Sequence, residues 1–264
     1  MAASTSNSDV KVTLYWLSES RAQSILWVLE ALSVPYELKT FKRQPDMLAP
    51  KELKEIHPLG KSPVIKVERP EFSKPLVLAE SAAIVEYLLD HFGGEEKGLI
   101  PKRYASEEDK AKGIETEEWL RYRFYMHYIE GSLMPQLVTA LIIDGIRKAP
   151  VPFFVKPITA IVASKIQASW LDKQFAVHFP FLENQLKTVP GTTETQKGGI
   201  CGPTFNAADI LMSFPVIAAT HREVYSKEDC PNLVAYADRL SKAEGYQKAV
   251  KKIEEVEGKF VSTL

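Results

Sequence analysis

The order of strand-like and helix-like segments in the N-terminal third of the chain constrains its fold more than any other feature. Residues 10–17 alternate with the period of two that is typical of a strand, and residues 20–32 repeat apolar positions at helical spacing. The next segments predict a strand in PYELKTF and a short polar helix or loop in DMLAPKELKEI. Two successive strands, SPVIKVE and KPLVLAE, and a helix at residues 81–91 follow. The order β-α-β-α-β-β-α predicts a thioredoxin-like domain, in which helices cover both faces of a small mixed sheet.

The remainder of the chain has helical patterns alone. Residues 93–105 combine Gly, Pro and charged residues without periodicity, which indicates a linker. Ser106 then stands where a helix N-cap is expected, and apolar residues recur three and four positions apart beyond it. We therefore predict an α/β thioredoxin-like domain at 10–92, a linker at 93–105 and an all-α domain at 106–264.

Three local patterns lie within the helical part. Asn206 precedes Asp209 by three residues in FNAADI, which predicts a reciprocal capping box at the start of an apolar helix. Aromatic side chains on more than one face of the helix near 119–133 indicate a partner subunit or a substrate pocket, with ordinary core packing as the alternative. The proline-rich stretch 149–158 predicts a break between helices, and either a lid over a pocket or simple packing would explain it.

Charge and composition exclude several classes of function. The net charge is -1 and the basic residues are scattered, so no nucleic-acid-binding surface is predicted. Cys201 and Cys230 lie far apart and the five histidines lack ligand-like spacing, so we expect neither a disulfide framework nor a metal site. The polar N-terminus, and the lack of a run of about 18 apolar residues, predict no signal peptide and no transmembrane segment. A cytoplasmic location is expected.

Pro63 stands at the entry to the third predicted strand, although proline cannot donate to a ladder. A trans proline would mark an edge strand. A cis Ser62–Pro63 bond would form a tight turn and direct the backbone N–H and C=O of the preceding or following residue outward. The Val64 backbone would then pair with an extended peptide as an added strand does.

Glu80 and Ser81 stand at the start of the helix that follows the fourth strand. A helix N-terminus presents unpaired amides and positive dipole potential, so the Ser81 hydroxyl and nearby amides suit a carboxylate. The Glu80 side chain beside them suits an ammonium group. The pair therefore predicts a site for the α-amino-acid end of a ligand, although an acidic residue before a serine cap is also common without a ligand.

Together these motifs resemble the glutathione site of the cytosolic glutathione transferases. PLGKSPVI resembles the cis-proline loop of that family and AESAAI its glutamate-serine box, while GLIP resembles the interdomain linker and FNAADI the capping box. Four longer stretches resemble the fungal subgroup that includes the endoplasmic-reticulum-associated yeast glutathione transferase: VTLYWLSESRAQSILWVLEAL, ELKEIHPLGKSPVI, YIEGSLMPQL and ADILMSFPV. The resemblance extends from Val10 to the last helices, and implies the glutathione transferase fold.

The resemblance also implies how the thiol of glutathione is activated. A free thiol of this kind is only a few per cent thiolate at about pH 7, and lowering its pKa by about two units needs roughly 2.7 kcal/mol. In this family a hydroxyl just after the first strand donates to the sulfur, so Ser18 and Ser20 are candidates, with Tyr15 as a third. LSESRA lacks the proline that usually follows the catalytic serine, so the choice between the two serines stays open.

Further roles follow from the same resemblance. Lys61, together with Arg43 or Lys51, would attract the glycine carboxylate of glutathione, and His57 would form hydrogen bonds within its loop. A hydrophobic pocket would lie between the Ser18 loop and the long helix. The candidate pocket residues are Tyr15, Tyr122, Tyr125 and Met126.

The function that this resemblance implies is a detoxifying homodimer that conjugates glutathione, its co-substrate, to hydrophobic electrophiles without a metal. One alternative is an isomerase, peroxidase or secondary-metabolite tailoring enzyme that uses the same glutathione site. Another is a non-catalytic binding or regulatory module of the same fold. The resemblance to the fungal subgroup also implies an alternative location, in which the protein associates peripherally with the endoplasmic reticulum.

Overall fold

The computed structural model describes residues 9–193 and 197–260 of the 264-residue chain. These residues form two compact units, and the boundary between them falls within one helix. The last helix of the sequence belongs to the first unit, although it lies in the stretch for which an all-α domain is predicted. The described ranges of the units are 9–119 with 242–260, and 120–193 with 197–241.

A four-stranded mixed sheet forms the centre of the first unit. Its strands are β1 (Lys11–Leu17), β2 (Tyr36–Phe41), β3 (Val64–Glu68) and β4 (Leu76–Ala79). The strand order is β2-β1-β3-β4, with β1 parallel to β2 and antiparallel to β3, and β3 antiparallel to β4. This arrangement confirms the predicted thioredoxin-like fold.

Helices account for most of the remaining described residues. The predicted helix at 81–91 is observed with those bounds, and the polar segment before β3 contains only a short helix. The helices are α1 (Ala22–Leu32), α2 (Leu53–Ile56), α3 (Ser81–His91), α4 (Glu107–Lys112), α5 (Glu117–Tyr128), α6 (Met134–Arg147), α7 (Lys156–Ile166), α8 (Asp172–Lys187), α9 (Ala207–His221), α10 (Pro231–Lys242) and α11 (Glu244–Glu257).

Helix α11 packs against α1 of the first unit. The Trp27 ring of α1 meets the edge of Tyr246 with 5.7 Å between ring centroids. Gly245 permits this approach, because a Cβ atom there would lie 2.0 Å from the Trp27 indole nitrogen. The close helix contact explains why α1 is buried along nearly all of its length, and why the end of the chain joins the N-terminal sheet.

In the second unit, π-helical turns connect α5 to α6 and α7 to α8. On α5, Tyr122 and Met126 are buried and Trp119 is half-buried, at spacings of three and four residues. Tyr125 and Tyr128 are buried as well, whereas Phe124 is 48% exposed. Core packing therefore accounts for Tyr125 and Tyr128, and the partner subunit or substrate pocket stays a prediction.

Residues 117–147 form the one helical run, within the described ranges, that has the length and apolar composition of a membrane span. Only 28% of its most apolar window is buried. Core helices of soluble proteins meet the same two criteria, and Glu130 and Asp144 interrupt the apolar sequence of this run. The absence of a transmembrane segment therefore stays a prediction.

The capping box at the start of α9 is confirmed. The Ala208 amide donates to the Asn206 side chain at 2.9 Å, and the Asn206 amide donates to Asp209 Oδ2 at 2.9 Å. Asp209 Oδ1 also accepts hydrogen bonds from the Ile200 amide and the Tyr236 hydroxyl, at 2.7 and 2.5 Å. This buried carboxylate thus joins the loop before α9 to α10.

Candidate functional site

The register of the sheet brings the separate sequence motifs to one edge. Val64 at the start of β3 lies opposite both Tyr15 of β1 and Ala79 of β4. Both pairings are antiparallel, so the residues before Val64 share an end of the sheet with those after Tyr15 and Ala79. Pro63 and Glu80 are therefore neighbours, and the loop that leaves β1 lies at the same end.

The turn before β3 contains a cis peptide bond between Ser62 and Pro63. The sequence left the cis and trans forms open. The Ser62 hydroxyl donates to the Tyr15 carbonyl oxygen at 3.2 Å and lies 3.3 Å from Ser20 Oγ. Because a serine hydroxyl has one proton, and Ser62 gives it to Tyr15, Ser20 is the donor in the bond between the serines. The Ser20 proton therefore points towards the cis-proline turn.

Ser20 Oγ also accepts a hydrogen bond, at 3.3 Å, from the amide of Ala22, the first residue of α1. The Ser20 side chain is buried, and Glu19 before it adopts a left-handed φ of 54°. Helix α1 and this turn together fix the direction of the Ser20 hydroxyl.

Ser18 has different surroundings from Ser20. Its hydroxyl donates at 2.8 Å to Glu257 Oε1, at the end of α11, and the Trp16 indole N–H donates to the same oxygen at 2.5 Å. The Ser18 proton is thus engaged by a carboxylate. A thiolate beside that carboxylate would be destabilised by like charge.

Arg43 holds the loop that contains both serines. Its guanidinium donates to the carbonyl oxygens of Ser18, Glu19 and Met47 at 3.0, 2.8 and 2.9 Å. Burial lowers the pKa of Arg43, which nevertheless stays charged at neutral pH because arginine starts from a very high value. Arg43, one of the residues predicted to bind the glycine carboxylate of glutathione, is therefore bound to backbone carbonyl oxygens.

The start of α3 presents a helix terminus that its N-cap side chain does not satisfy. Glu80 is exposed and does not cap the helix, whereas Ser106 caps α4. Glu80 adopts φ 73° and ψ 122°, a conformation that costs a non-glycine residue about 1–3 kcal/mol. Ser81 follows it and is only 4% exposed. The first-turn amides of α3 thus remain donors for a negatively charged group.

The loop before the cis-proline contains the predicted basic residues. Lys51 and Lys61 are both exposed. The Leu59 amide donates to His57 Nδ1 at 3.4 Å, which confirms His57 as a hydrogen-bonding residue of this loop. The lysines are therefore available to a ligand carboxylate at the surface.

The predicted pocket residues belong to different units, Tyr15 to the first and the three helical residues to the second. Tyr15 packs with Val64 and Leu53 under the sheet and is 6% exposed. In the helical unit, burial raises the pKa of the Tyr125 hydroxyl above its ordinary value. The pocket role of these residues stays a prediction. The other exposures are Tyr122 6%, Tyr125 0% and Met126 1%.

Glu257 and Trp16 are parts of this site that sequence reasoning missed. Glu257 is 239 residues from Ser18, so no local spacing could have connected them. Residues 9–193 and 197–260 contain no group of three or more His, Cys, Asp or Glu side chains placed to hold a metal. Cys201 and Cys230 are buried and are not joined in a disulfide.

The sheet order, the cis-proline turn and the helix terminus beside it define a thioredoxin-fold protein with an added helical unit. Comparison with known proteins identifies the family. The chain belongs to the glutathione S-transferase family, and it is an enzyme of that family. The family model for the glutathione S-transferase N-terminal domain matches residues 20–91.

Two fungal relatives match nearly the whole chain. Glutathione S-transferase 1 of Saccharomyces cerevisiae is 31% identical, over 91% of this chain and 94% of the relative. Glutathione S-transferase 3 of Schizosaccharomyces pombe is 30% identical, over 92% of this chain and 88% of the relative. A crystal structure of a glutathione S-transferase from Actinobacillus pleuropneumoniae is 26% identical with a TM-score of 0.62, and covers 91% of this chain and 92% of its own. These matches confirm the glutathione transferase fold and the fungal resemblance.

Proposed function

We propose that this enzyme joins the sulfur of glutathione to hydrophobic electrophiles. The observation that carries the proposal is the meeting of three groups at one end of the sheet. These groups are the Ser20 hydroxyl, the cis-proline turn at Ser62–Pro63 and the uncapped start of α3 at Ser81. They suit, respectively, a thiolate, an extended peptide backbone and an α-carboxylate.

The γ-glutamyl end of glutathione is assigned to the start of α3. Its α-carboxylate would accept hydrogen bonds from the Ser81 hydroxyl and the first-turn amides, where the helix dipole adds favourable potential. The exposed Glu80 carboxylate would pair with the α-ammonium group. The unusual backbone of Glu80 supports this role, because such conformations persist mainly where structure or function demands them.

The cysteinyl residue of glutathione is assigned to the cis-proline turn. Val64 already lies opposite residues of both neighbouring strands, whereas Ser62 precedes the paired part of β3. The Ser62 N–H and C=O are therefore the better candidates for pairing with the peptide, as an added strand would. Pro63 and Val64 would shape the turn beneath it.

The thiolate is assigned to Ser20 rather than Ser18. Rotation of the Ser20 hydroxyl away from Ser62 would let it donate to the sulfur, while the Ala22 amide keeps the oxygen in place. The Ser18 hydroxyl would first have to leave Glu257. The thiol gives its proton to water, and the sulfur lone pair forms the new S–C bond. The electrophile then expels its leaving group with the bonding electrons or, in an addition, takes up a proton from water.

The glycine carboxylate of glutathione is assigned to Lys61, with Lys51 as the alternative. Both lysines are exposed, and Lys61 directly precedes Ser62, whereas the Arg43 guanidinium donates to three carbonyl oxygens. An exposed lysine contributes about 0–1 kcal/mol to such a contact. Tyr15, the predicted helical pocket residues and the homodimer stay predictions.

Glutathione binding, measured by titration calorimetry, and turnover of chlorodinitrobenzene and a panel of electrophiles and peroxides test the proposal. We expect binding, conjugation, and about tenfold weaker binding in Glu80→Gln, because a charge-assisted contact is lost. Glu86→Gln removes the same charge from an exposed position of α3 and is the matched control. If the protein binds glutathione and shows only isomerase or peroxidase turnover, the alternative enzymes are favoured. If it binds glutathione without any turnover, a regulatory module is favoured. Absence of binding would reject the assignment of the site.

A further inference from the structure

Arg43 connects two loops at the site end of the sheet. It lies two residues beyond the end of β2, and its guanidinium is half-buried. Nε donates to the Ser18 carbonyl oxygen at 3.0 Å, and Nη2 donates to that of Glu19 at 2.8 Å. Nη1 donates at 2.9 Å to the carbonyl oxygen of Met47, in the loop that follows β2. Because the nitrogens of arginine form a rigid planar fork, one side chain holds both loops.

Two of these carbonyl groups belong to residues with an unusual backbone conformation. Glu19 has φ 54° and Met47 has φ 64°, in the left-handed region that residues other than glycine rarely adopt. Such conformations are unfavourable by themselves and persist where neighbouring contacts hold them. Hydrogen bonds from a charged guanidinium are among the stronger contacts in proteins. Arg43 therefore stabilises both turns in the conformation that is observed.

The Glu19 carbonyl is directly linked to the orientation of Ser20. It belongs to the peptide group whose N–H is that of Ser20. A peptide group is planar, so a contact that holds its oxygen also fixes the direction of the N–H and of the chain that follows. The Ser20 side chain leaves the chain at this point and reaches to 3.3 Å from Ser62 Oγ. Arg43 thus holds the last peptide group before the candidate hydroxyl.

We propose that Arg43 is a positioning residue for thiol activation, because it holds the turn at Ser18 and Glu19 so that the Ser20 hydroxyl stays directed at the cis-proline turn. The inference rests on the proposed function, in which that hydroxyl donates to the glutathione sulfur. Arg43 does not have to touch glutathione in this role. Its contact with Ser18 is made to a backbone oxygen, so it does not depend on the Ser18 side chain.

Two other roles of Arg43 would have different consequences. As a ligand of the glycine carboxylate, through the N–H groups that its three bonds leave over, it would raise the affinity for glutathione without changing the pKa of the bound thiol. As a positive charge alone, it would favour the thiolate whatever its hydrogen bonds are. The Glu19 carboxylate attracts this charge, and the Glu257 carboxylate binds the Ser18 hydroxyl. Charges of both signs therefore surround the loop, and the proposal depends on the hydrogen bonds.

The pKa of the glutathione thiol bound to the full chain tests the proposal. The ultraviolet absorbance of the thiolate against pH gives this pKa, titration calorimetry gives the affinity for glutathione, and conjugation of chlorodinitrobenzene gives kcat and KM. We expect Arg43→Met to raise the pKa of the bound thiol by about one unit, and to lower kcat about tenfold near pH 6, since about tenfold less thiol is then ionised. The affinity for glutathione should change less than about threefold.

The variant Arg43→Lys separates the hydrogen bonds from the charge. Lysine keeps the charge but has a single nitrogen, so it cannot replace the three bonds of the fork, and we expect it to lose most of the same thiol activation. It also keeps the test decisive if Arg43→Met does not fold, which thermal melting shows. Lys42→Met removes the same charge from the exposed neighbouring position and is the matched control. It should behave like the unchanged chain.

Full thiol activation by Arg43→Lys would overturn the proposal, since the charge alone would then be sufficient. A loss of affinity for glutathione with an unchanged thiol pKa would also overturn it, and would assign Arg43 to the glycine carboxylate. If the unchanged chain does not bind glutathione or does not lower its thiol pKa, the proposed function fails, and this inference fails with it. A lowered thiol pKa that both Arg43 variants retain would reject this inference alone.

Discussion

Ser20 Oγ lies 3.3 Å from Ser62 Oγ, and this contact joins the start of α1 to the cis-proline turn. The two residues are 42 positions apart in the sequence. The antiparallel pairing of β1 with β3 brings them together, since Tyr15 lies opposite Val64. The register of the sheet thus places the Ser20 hydroxyl, the cis-proline turn and the start of α3 at the same end.

Removal of the Ser20 hydroxyl should impair thiol activation. We expect Ser20→Ala to raise the pKa of the bound glutathione thiol by about one to two units, since a hydrogen bond to the thiolate is lost. The ultraviolet absorbance of the thiolate, followed against pH, measures this change. Ser18→Ala is the control and should leave the pKa nearly unchanged, because the Ser18 hydroxyl bonds Glu257. A larger effect of Ser18→Ala would reverse the assignment.

The substitution Glu80→Gly should weaken glutathione binding without lowering the stability of the protein. Glycine adopts the positive φ of this position without penalty, so the free energy of unfolding should not fall and should rise by up to about 1 kcal/mol. Glutathione binding should weaken at the same time, since the carboxylate is lost. Denaturant unfolding and titration calorimetry measure the two effects. A variant that is less stable and binds glutathione normally would contradict both roles.

Glu257→Ala should loosen the loop after β1. Trp16 and Ser18 would lose their shared acceptor, which should lower the free energy of unfolding by about 1–3 kcal/mol. Faster hydrogen exchange of the Trp16 indole N–H would report the local effect. Glu254→Ala alters an exposed residue of the same helix and should change neither measurement. Equal effects of the two variants would show that the contact does not stabilise the loop.

Asp209 should make stability depend on pH. Burial raises its pKa to about 6 from an ordinary value of 3.8, against the opposing effect of its hydrogen-bond donors. Between these two values the folded chain binds more protons than the unfolded chain, so this carboxyl makes the free energy of unfolding fall as pH rises. Urea unfolding at several pH values measures the slope. The Asp209→Asn variant should lack the part of the pH dependence that comes from this carboxyl. If its slope equals that of the unchanged chain, Asp209 does not make stability depend on pH.

Local patterns were sufficient to predict most of the fold. Helix α3 and the strands follow from apolar periodicity and turn residues, and the capping box at Asn206 needs only residues close in sequence. The position of α11 could not be predicted in this way, because it depends on how Gly245 admits Trp27. The sequence suggested an all-helical domain there, and packing joined this helix to the sheet.

The candidate site was predictable in its motifs and not in its detailed contacts. Pro63, Glu80 and Ser81 stand out through their residue types and positions. The choice between Ser18 and Ser20 depends on a carboxylate from the far end of the chain, which no spacing rule reveals. The engagement of Arg43 by backbone carbonyls likewise depends on the folded loop.

A crystal structure with glutathione bound tests the central claim most directly. We expect the glutathione sulfur within hydrogen-bonding distance, about 3–3.5 Å, of Ser20 Oγ. We also expect the γ-glutamyl carboxylate to accept hydrogen bonds from the amides at Ser81, and the cysteinyl backbone to pair with Ser62. A tripeptide bound elsewhere, or one with its sulfur directed at Ser18 and away from Ser20, would contradict it.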